Sequence, residues 1–264
     1  SAAMKAVVGT KQVRREARRQ LYQLLTRLTG IHFPWGSLTG IRPTLMARDA
    51  LQETADQRAA VQRLVHHWQV APVQAELAVS VAKAEEQLLA QIPADRWLVY
   101  LGVPFCPSRC AYCSFITQDA HRHLHLIEPY VAGMIRAIRQ LLPLIRTRPA
   151  AVYFGGGTPT SLPDHSLGQL LQAFRETAAE LAGGDRTSME FTVEAGRPDT
   201  ISQNSLEQLK SAGVSRLCIN PQTFHDRTLQ RIGRLHTTKQ TLAAYELARC
   251  QGFTDINLDL IAGL

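Results

Sequence analysis

From residue 97 onward, short apolar runs alternate with amphipathic stretches. The runs lie near 97–102, 150–154, 189–194, 216–220 and 255–261, and the helical stretches lie near 126–142, 165–182, 203–212 and 238–251. Short apolar runs separated by helices suit buried strands. Such strands pair in parallel through right-handed crossovers. Five strands and four intervening helices therefore predict an α/β domain on a parallel sheet. Folds of this kind bind ligands at the C-terminal ends of the strands.

The loop after the first run concentrates the chemistry. The stretch Trp97-Leu98-Val99-Tyr100-Leu101-Gly102-Val103-Pro104-Phe105 leads into Cys106-Pro107-Ser108-Arg109-Cys110-Ala111-Tyr112-Cys113. A closed zinc site takes four ligands, and a complete iron–sulfur cluster usually takes four cysteines. Three thiolates on a four-iron cluster leave one iron open to a small chelating molecule. Zinc is the competing reading, because one of His121, His123 or His125 completes four ligands with the three cysteines.

A second run, Ala151-Val152-Tyr153-Phe154, is followed by Gly155-Gly156-Gly157-Thr158-Pro159-Thr160. Three glycines after a strand let another molecule approach the backbone closely. The spaced glycines of a dinucleotide site are not matched. The turn gains its meaning from the three-cysteine loop one βα unit earlier.

Together these motifs resemble the radical S-adenosylmethionine (SAM) enzymes, with their three-cysteine loop and GGTP-type turn. Within them the chain resembles the oxygen-independent coproporphyrinogen III oxidases, and most of all the HemZ-type coproporphyrinogen dehydrogenases. That resemblance rests on Gly102-Val103-Pro104-Phe105-Cys106-Pro107, Phe154 to Thr160, Phe191-Thr192-Val193-Glu194-Ala195-Gly196-Arg197-Pro198-Asp199-Thr200 and Ile219-Asn220-Pro221-Gln222. It rests also on Ile232-Gly233-Arg234 with His236-Thr237, on Asn257-Leu258-Asp259-Leu260-Ile261, and upstream on Trp35 to Thr44. It runs from about residue 30 to Leu264. It implies a partial parallel (β/α)6 barrel, of which five strands are visible before the chain stops. The sixth unit is then missing, so the chain reads as one cut short.

Ahead of the barrel, Ile92-Pro93-Ala94-Asp95 breaks the pattern, so a helical domain at residues 1–95 and a barrel domain at 96–264 are expected. Thr44 to about Glu53 and Pro72 to about Gln91 read as helices. The net charge of +7 belongs to the N-terminal part: residues 1–48 hold nine Lys/Arg against the single acid Glu16, and the remainder 20 against 21. Val13, Ala17, Leu21, Leu24, Leu25 and Leu28 recur at helical spacing among arginines, which predicts an amphipathic helix with a solvated basic face. No aromatics interleave with those arginines, which argues against nucleic acid as a partner. No apolar run reaches 18 residues, and the start, Ser1-Ala2-Ala3-Met4-Lys5, lacks the apolar core of a signal peptide. Five cysteines, three of them clustered, point to a reducing compartment and a cytoplasmic location. Cys218 and Cys250 read as packing residues.

For the site, the resemblance implies a [4Fe-4S] cluster on Cys106, Cys110 and Cys113. It implies SAM contacts from Tyr100, Tyr112, Gly156, Gly157, Thr158, Glu194, Gln222, Arg234 and Asp259. Glu194 and Asp259 suit cationic or hydroxyl groups, and Arg234 suits a carboxylate. The implied reaction is oxidative decarboxylation of coproporphyrinogen III propionates to vinyls, giving protoporphyrinogen IX through a 5′-deoxyadenosyl radical. A haem-binding chaperone relative is the alternative. The implied partners are the porphyrinogen tetracarboxylate and an electron donor such as a flavodoxin or ferredoxin. Arg109 and Arg197 are candidates for the substrate carboxylates. One departure is Phe115, which stands where some of these oxidases carry a fourth cysteine.

Overall fold

The computed structural model describes residues 2–38, 42–181 and 189–264, with side chains from residue 12 onward. Thr39, Gly40, Ile41 and residue 182, which belong to stretches singled out above, lie outside the described residues. The chain divides into two units, Ser1–Ile92 and Pro93–Leu264.

The first unit holds α1 (Ala2–Thr29), α2 (Pro43–Thr54), α3 (Gln57–Trp68) and α4 (Pro72–Leu89). Proline opens α2 and α4, where its missing N–H costs nothing. The Asp56 carboxylate opens α3 by accepting from Ala59 N at 2.7 Å. Ala47, Ala50, Ala60, Ala75, Ala78 and Ala82 are buried, and such small side chains let helices approach closely around Leu64 and Trp68. Gly36 is required by a close approach: a Cβ there would sit 2.3 Å from Trp68 O and from Gln69 O.

Two features depart from the sequence reading. Helix α3 was not among the expected helices. Helix α1 forms, but its apolar stripe is not buried: Val13 is 68% and Leu28 74% exposed, while the Arg15 and Arg19 side chains are only 29% and 20% exposed. Arg15 meets Asp49 at 3.7 Å and Arg19 meets Glu16, so the expected solvated basic face is in part turned inward and paired.

The second unit is a βα succession. It runs β1 (Leu98–Val103), β2 (Phe105–Cys106), β3 (Gln118–Asp119), α5 (Leu124–Leu141), β4 (Ala151–Gly156), α6 (Asp164–Leu181), β5 (Glu190–Gly196), α7 (Gln203–Ser211), β6 (Arg216–Gln222), α8 (Asp226–Arg231), α9 (Thr238–Cys250) and β7 (Asp255–Leu260). The main sheet has the order β1-β4-β5-β6-β7, parallel throughout, the arrangement of a partial (β/α)6 barrel. Short α8 and the β2–β3 pair are additions to the expected elements. Capping boxes start α7 at Ser202 and α9 at Thr237.

Strand parity sorts the sheet. Leu101, Val103, Val152, Phe154, Phe191, Val193, Leu217 and Ile219 lie in one apolar core with Leu167, Leu170, Phe174, Leu206 and Leu209 of the helices. Phe154, Phe174 and Phe191 pack ring to ring at 5.2–6.1 Å. The alternate positions, Tyr100, Tyr153, Glu194, Cys218, Asn257 and Asp259, belong to the other face, which is polar. Register shifts after Glu194 and after Ile219 fall at the C-terminal ends of β5 and β6, where a bulge re-aims side chains. No helix of the described residues is long and apolar enough to cross a membrane. Cys250 is exposed at the end of α9, which corrects its reading as a packing residue.

Phe174→Ala should destabilise this unit by about 3–5 kcal/mol, the usual cost of emptying a buried aromatic site. Denaturant unfolding followed by circular dichroism checks this; a loss under about 1 kcal/mol would contradict the packing described.

Candidate functional site

The cysteine loop is fastened at both ends. Gln118 N donates to Pro104 O at 2.7 Å and Ala120 N to Cys106 O at 2.8 Å, which pairs β3 with β2 and closes the loop. From the opposite side, Ala111 N donates to Ile232 O at 2.9 Å and Ser108 Oγ to Gly233 O at 2.8 Å. The three thiols are half-buried. Burial pushes the Cys106 thiol up; the Thr158 hydroxyl works against that, as does the Arg197 cation. Thr158 Oγ1 donates to Cys106 Sγ at 3.5 Å, and Arg234 Nη1 to Cys110 Sγ at 3.6 Å.

Donors turned on sulfurs are what thiolate ligands of a cluster take. Among the described residues, no three His, Cys, Asp or Glu side chains are grouped to hold a single metal ion. A four-iron cluster makes no such demand, since each thiolate binds a different iron. The three loop thiols and the donors turned on them fit the ligand set of such a cluster.

The glycine turn lies directly against this loop. Gly157 N donates to Val103 O and Thr158 N to Phe105 O, both at 2.7 Å. A Cβ on Gly157 would stand 2.5 Å from Phe105 O, and Gly156 has φ +104°. Tyr100 leans over the turn: its ring stacks on Tyr153 at 6.0 Å, and a Cβ on Gly156 would come within 3.2 Å of its hydroxyl.

Glu194 draws the turn to β5. One oxygen accepts from Tyr153 Oη at 2.6 Å and the other from Gly156 N at 3.1 Å. Burial raises the Glu194 carboxyl above its usual range, and these two hydrogen bonds only partly offset it. A group raised in this way favours the fold while protonated, and that contribution is lost as pH rises through the raised value. Both donors are neutral, so a ligand cation would offset the burial of this charge.

Further along the same face, Asn257 Nδ2 donates to Asp259 Oδ1 at 2.7 Å and to Cys218 Sγ at 3.1 Å. Cys218 is buried, but among polar neighbours rather than in the apolar core, and burial pushes its thiol up to about 11. Gln222 is buried with φ +68°, a strained backbone for a residue with a side chain, and its carbonyl accepts from Ile261 N at 2.9 Å. Arg234 is buried beneath the loop: Nη1 also meets Tyr112 Oη at 3.1 Å, Nη2 donates to Asn220 O, and Nε has no partner. Burial pushes the Tyr112 hydroxyl up to about 12.

Thus Cys106, Cys110, Tyr112, Thr158 and Arg234 meet around the loop, Tyr100, Gly156 and Glu194 meet around the turn, and Asp259 sits with Cys218 and Asn257. Of the two substrate candidates, Arg109 is exposed. Arg197 is buried and bonded to Ser108, which corrects its reading as a carboxylate receptor at the barrel mouth. Sequence reasoning missed Tyr153, Asn220 and Asn257. Their signal is parity alone, two residues before Gly155, Gln222 and Asp259 respectively.

Residues 100–264 match the radical SAM superfamily. Over 262 residues the chain is 33% identical to the oxygen-independent coproporphyrinogen-III oxidase-like protein HemZ of Bacillus subtilis, a match covering 96% of this chain and 51% of that protein. It is 36% identical over 173 residues to the heme chaperone HemW of Bacillus subtilis, covering 62% and 42%. Among solved structures it is similar to coproporphyrinogen III oxidase (HemN) from Escherichia coli, described as a radical SAM enzyme. That match has a TM-score of 0.54 and 28% identity, over 69% of this chain and 41% of that one. The chain therefore spans about half the length of the curated relatives it matches. The family implies a [4Fe-4S] cluster and SAM. With this cysteine loop, this glycine turn and a family match from residue 100 to 264, the chain belongs to the radical SAM superfamily, in its coproporphyrinogen oxidase-like group.

Proposed function

We propose that residues 1–95 form a helical domain and residues 96–264 a radical SAM domain that oxidatively decarboxylates coproporphyrinogen III propionates to vinyls. The observation that carries this reading is the placement of Glu194. Its half-buried carboxylate touches the glycine turn through Gly156 N, and that turn is bonded to the cysteine loop. A cationic, chelating cofactor is the ligand whose chemistry matches this carboxylate and these thiols.

Cys106, Cys110 and Cys113 hold the cluster. Thr158 and Arg234 orient two of the sulfurs by hydrogen bonds. When bound, cluster and SAM supply one-electron cleavage of the sulfonium and the hydrogen-atom abstraction that follows from it. Glu194 receives the cationic end of SAM, and Gly156 and Gly157 let its methionyl part lie against the backbone. Tyr100 beside the turn and Tyr112 on the loop offer aromatic surface to the ligand. Asp259 accepts from hydroxyls, while Gln222 and Arg234 serve polar groups nearer β6. Arg109, which is exposed, is the residue proposed to meet a substrate carboxylate. The electron comes from a donor such as a flavodoxin or ferredoxin, and the setting is cytoplasmic.

A second reading, haem binding without oxidation, is favoured by one observation. A relative named as a heme chaperone is 36% identical over 173 residues.

Anaerobic reconstitution with iron and sulfide, followed by SAM, reductant and coproporphyrinogen, tests both. The oxidase reading expects 5′-deoxyadenosine together with protoporphyrinogen. Stoichiometric haem binding with no decarboxylation favours the second reading. Cys106→Ser, Cys110→Ser or Cys113→Ser should each abolish 5′-deoxyadenosine, and turnover by any of them would contradict the assignment. Glu194→Gln should weaken SAM binding by about tenfold or more, the worth of a charge-assisted contact. Equilibrium dialysis measures this, and unchanged affinity would remove Glu194 from the site.

A further inference from the structure

Burying a guanidinium is costly unless its charge and its donors are matched. Arg197 is 2% exposed, and its matches are incomplete. Nη1 donates to Ser108 Oγ at 2.6 Å and lies 3.3 Å from Ser108 O. Nε meets Asp199 Oδ1 at 3.4 Å, and Nη2 is buried with no partner. The same Asp199 oxygen also faces His236 Nδ1 at 3.7 Å, so one carboxylate is divided between two groups.

The position of this cation is informative. Ser108 lies between Cys106 and Cys110 in the loop, so Arg197 is seated against the segment that carries the thiols. Ser108 relays the contact to Gly233 O, next to the buried Arg234. Among the described residues, the one side-chain anion that the cation meets, Asp199, is shared, while three cysteines lie on the loop it grips. An anionic group on those cysteines would complete the match.

We propose that Arg197 is a positioning residue for the cluster: it seats the loop through Ser108, and its charge raises the reduction potential of the bound cluster. This rests on the cluster assignment made under Proposed function. A cluster on three thiolates gains negative charge when reduced, so a fixed cation nearby favours the reduced form. Net charge and hydrogen bonds to the sulfurs are the protein's means of setting such potentials. The SAM-contact residues named above do not include Arg197, so the effect belongs to the cluster alone.

The test is a redox titration of the reconstituted 264-residue chain, followed by electron paramagnetic resonance without SAM or substrate, with iron and sulfide content measured in parallel. Arg197→Gln keeps a donor for Ser108 and removes the charge. At the wild-type midpoint its ratio of reduced to oxidised cluster should fall about tenfold, about 59 mV for one electron. Arg197→Lys, which restores the charge, should recover most of that loss. A merely structural role would not separate Gln from Lys in this way. A wild-type midpoint in Arg197→Gln overturns the proposal. If Arg197→Gln retains no iron, Asp199→Asn decides: with its counter-charge removed, Arg197 should raise the midpoint, and an unmoved midpoint overturns the proposal. A wild-type chain that loads no cluster would instead remove the cluster assignment, and this inference with it.

Discussion

The site depends on two backbone hydrogen bonds, Gly157 N to Val103 O and Thr158 N to Phe105 O, each 2.7 Å long. They bring the end of β4 against the start of the cysteine loop so closely that a side chain on Gly157 would strike Phe105 O. Only glycine fits there, because it has no Cβ. That contact places Thr158 at the Cys106 sulfur and Gly156 N at the Glu194 carboxylate. Cysteines, glycines and glutamate come from three different strand ends, and this junction makes one site of them.

Around that junction the protein accepts buried charge. Arg197 and Arg234 are buried and Glu194 is half-buried, and Arg197 Nη2, Arg234 Nε and both His236 ring nitrogens make no hydrogen bond, although His236 Nδ1 faces Asp199 Oδ1 at 3.7 Å. Elsewhere the unit is largely an apolar core, with Gln208 Oε1 on α7 as a further buried oxygen that makes no hydrogen bond. Unmatched polar groups gathered at one end of a sheet are the usual mark of a place where ligand atoms complete the pairing. The apolar face of the sheet, held by the Phe154, Phe174 and Phe191 rings, supplies the rigidity that keeps these groups in position.

Much of the fold was legible in the sequence because parallel strands announce themselves as short apolar runs between helices. The cysteine loop and glycine turn were legible because their residue types serve few other purposes. Helix α3 escaped because its buried stripe is thin: Ala60, Leu64 and Trp68 stand among Gln57, Arg58, Gln62, Arg63, His66 and His67. The exposed leucines of α1 show the reverse failure, since periodicity reports an apolar stripe and not what covers it. The place of Arg197 depends on where a distant loop folds back, and no local pattern encodes that. Tyr153 and Asn257 were hidden for a related reason: their polarity has meaning only once strand parity assigns a face.

The most direct test of this account is the electron paramagnetic resonance spectrum of the reduced, anaerobically reconstituted chain, recorded before and after adding SAM. The expected result is a four-iron cluster signal that requires all three loop cysteines and changes when SAM takes the open iron. A signal indifferent to SAM, or one that persists in Cys113→Ser, would contradict it.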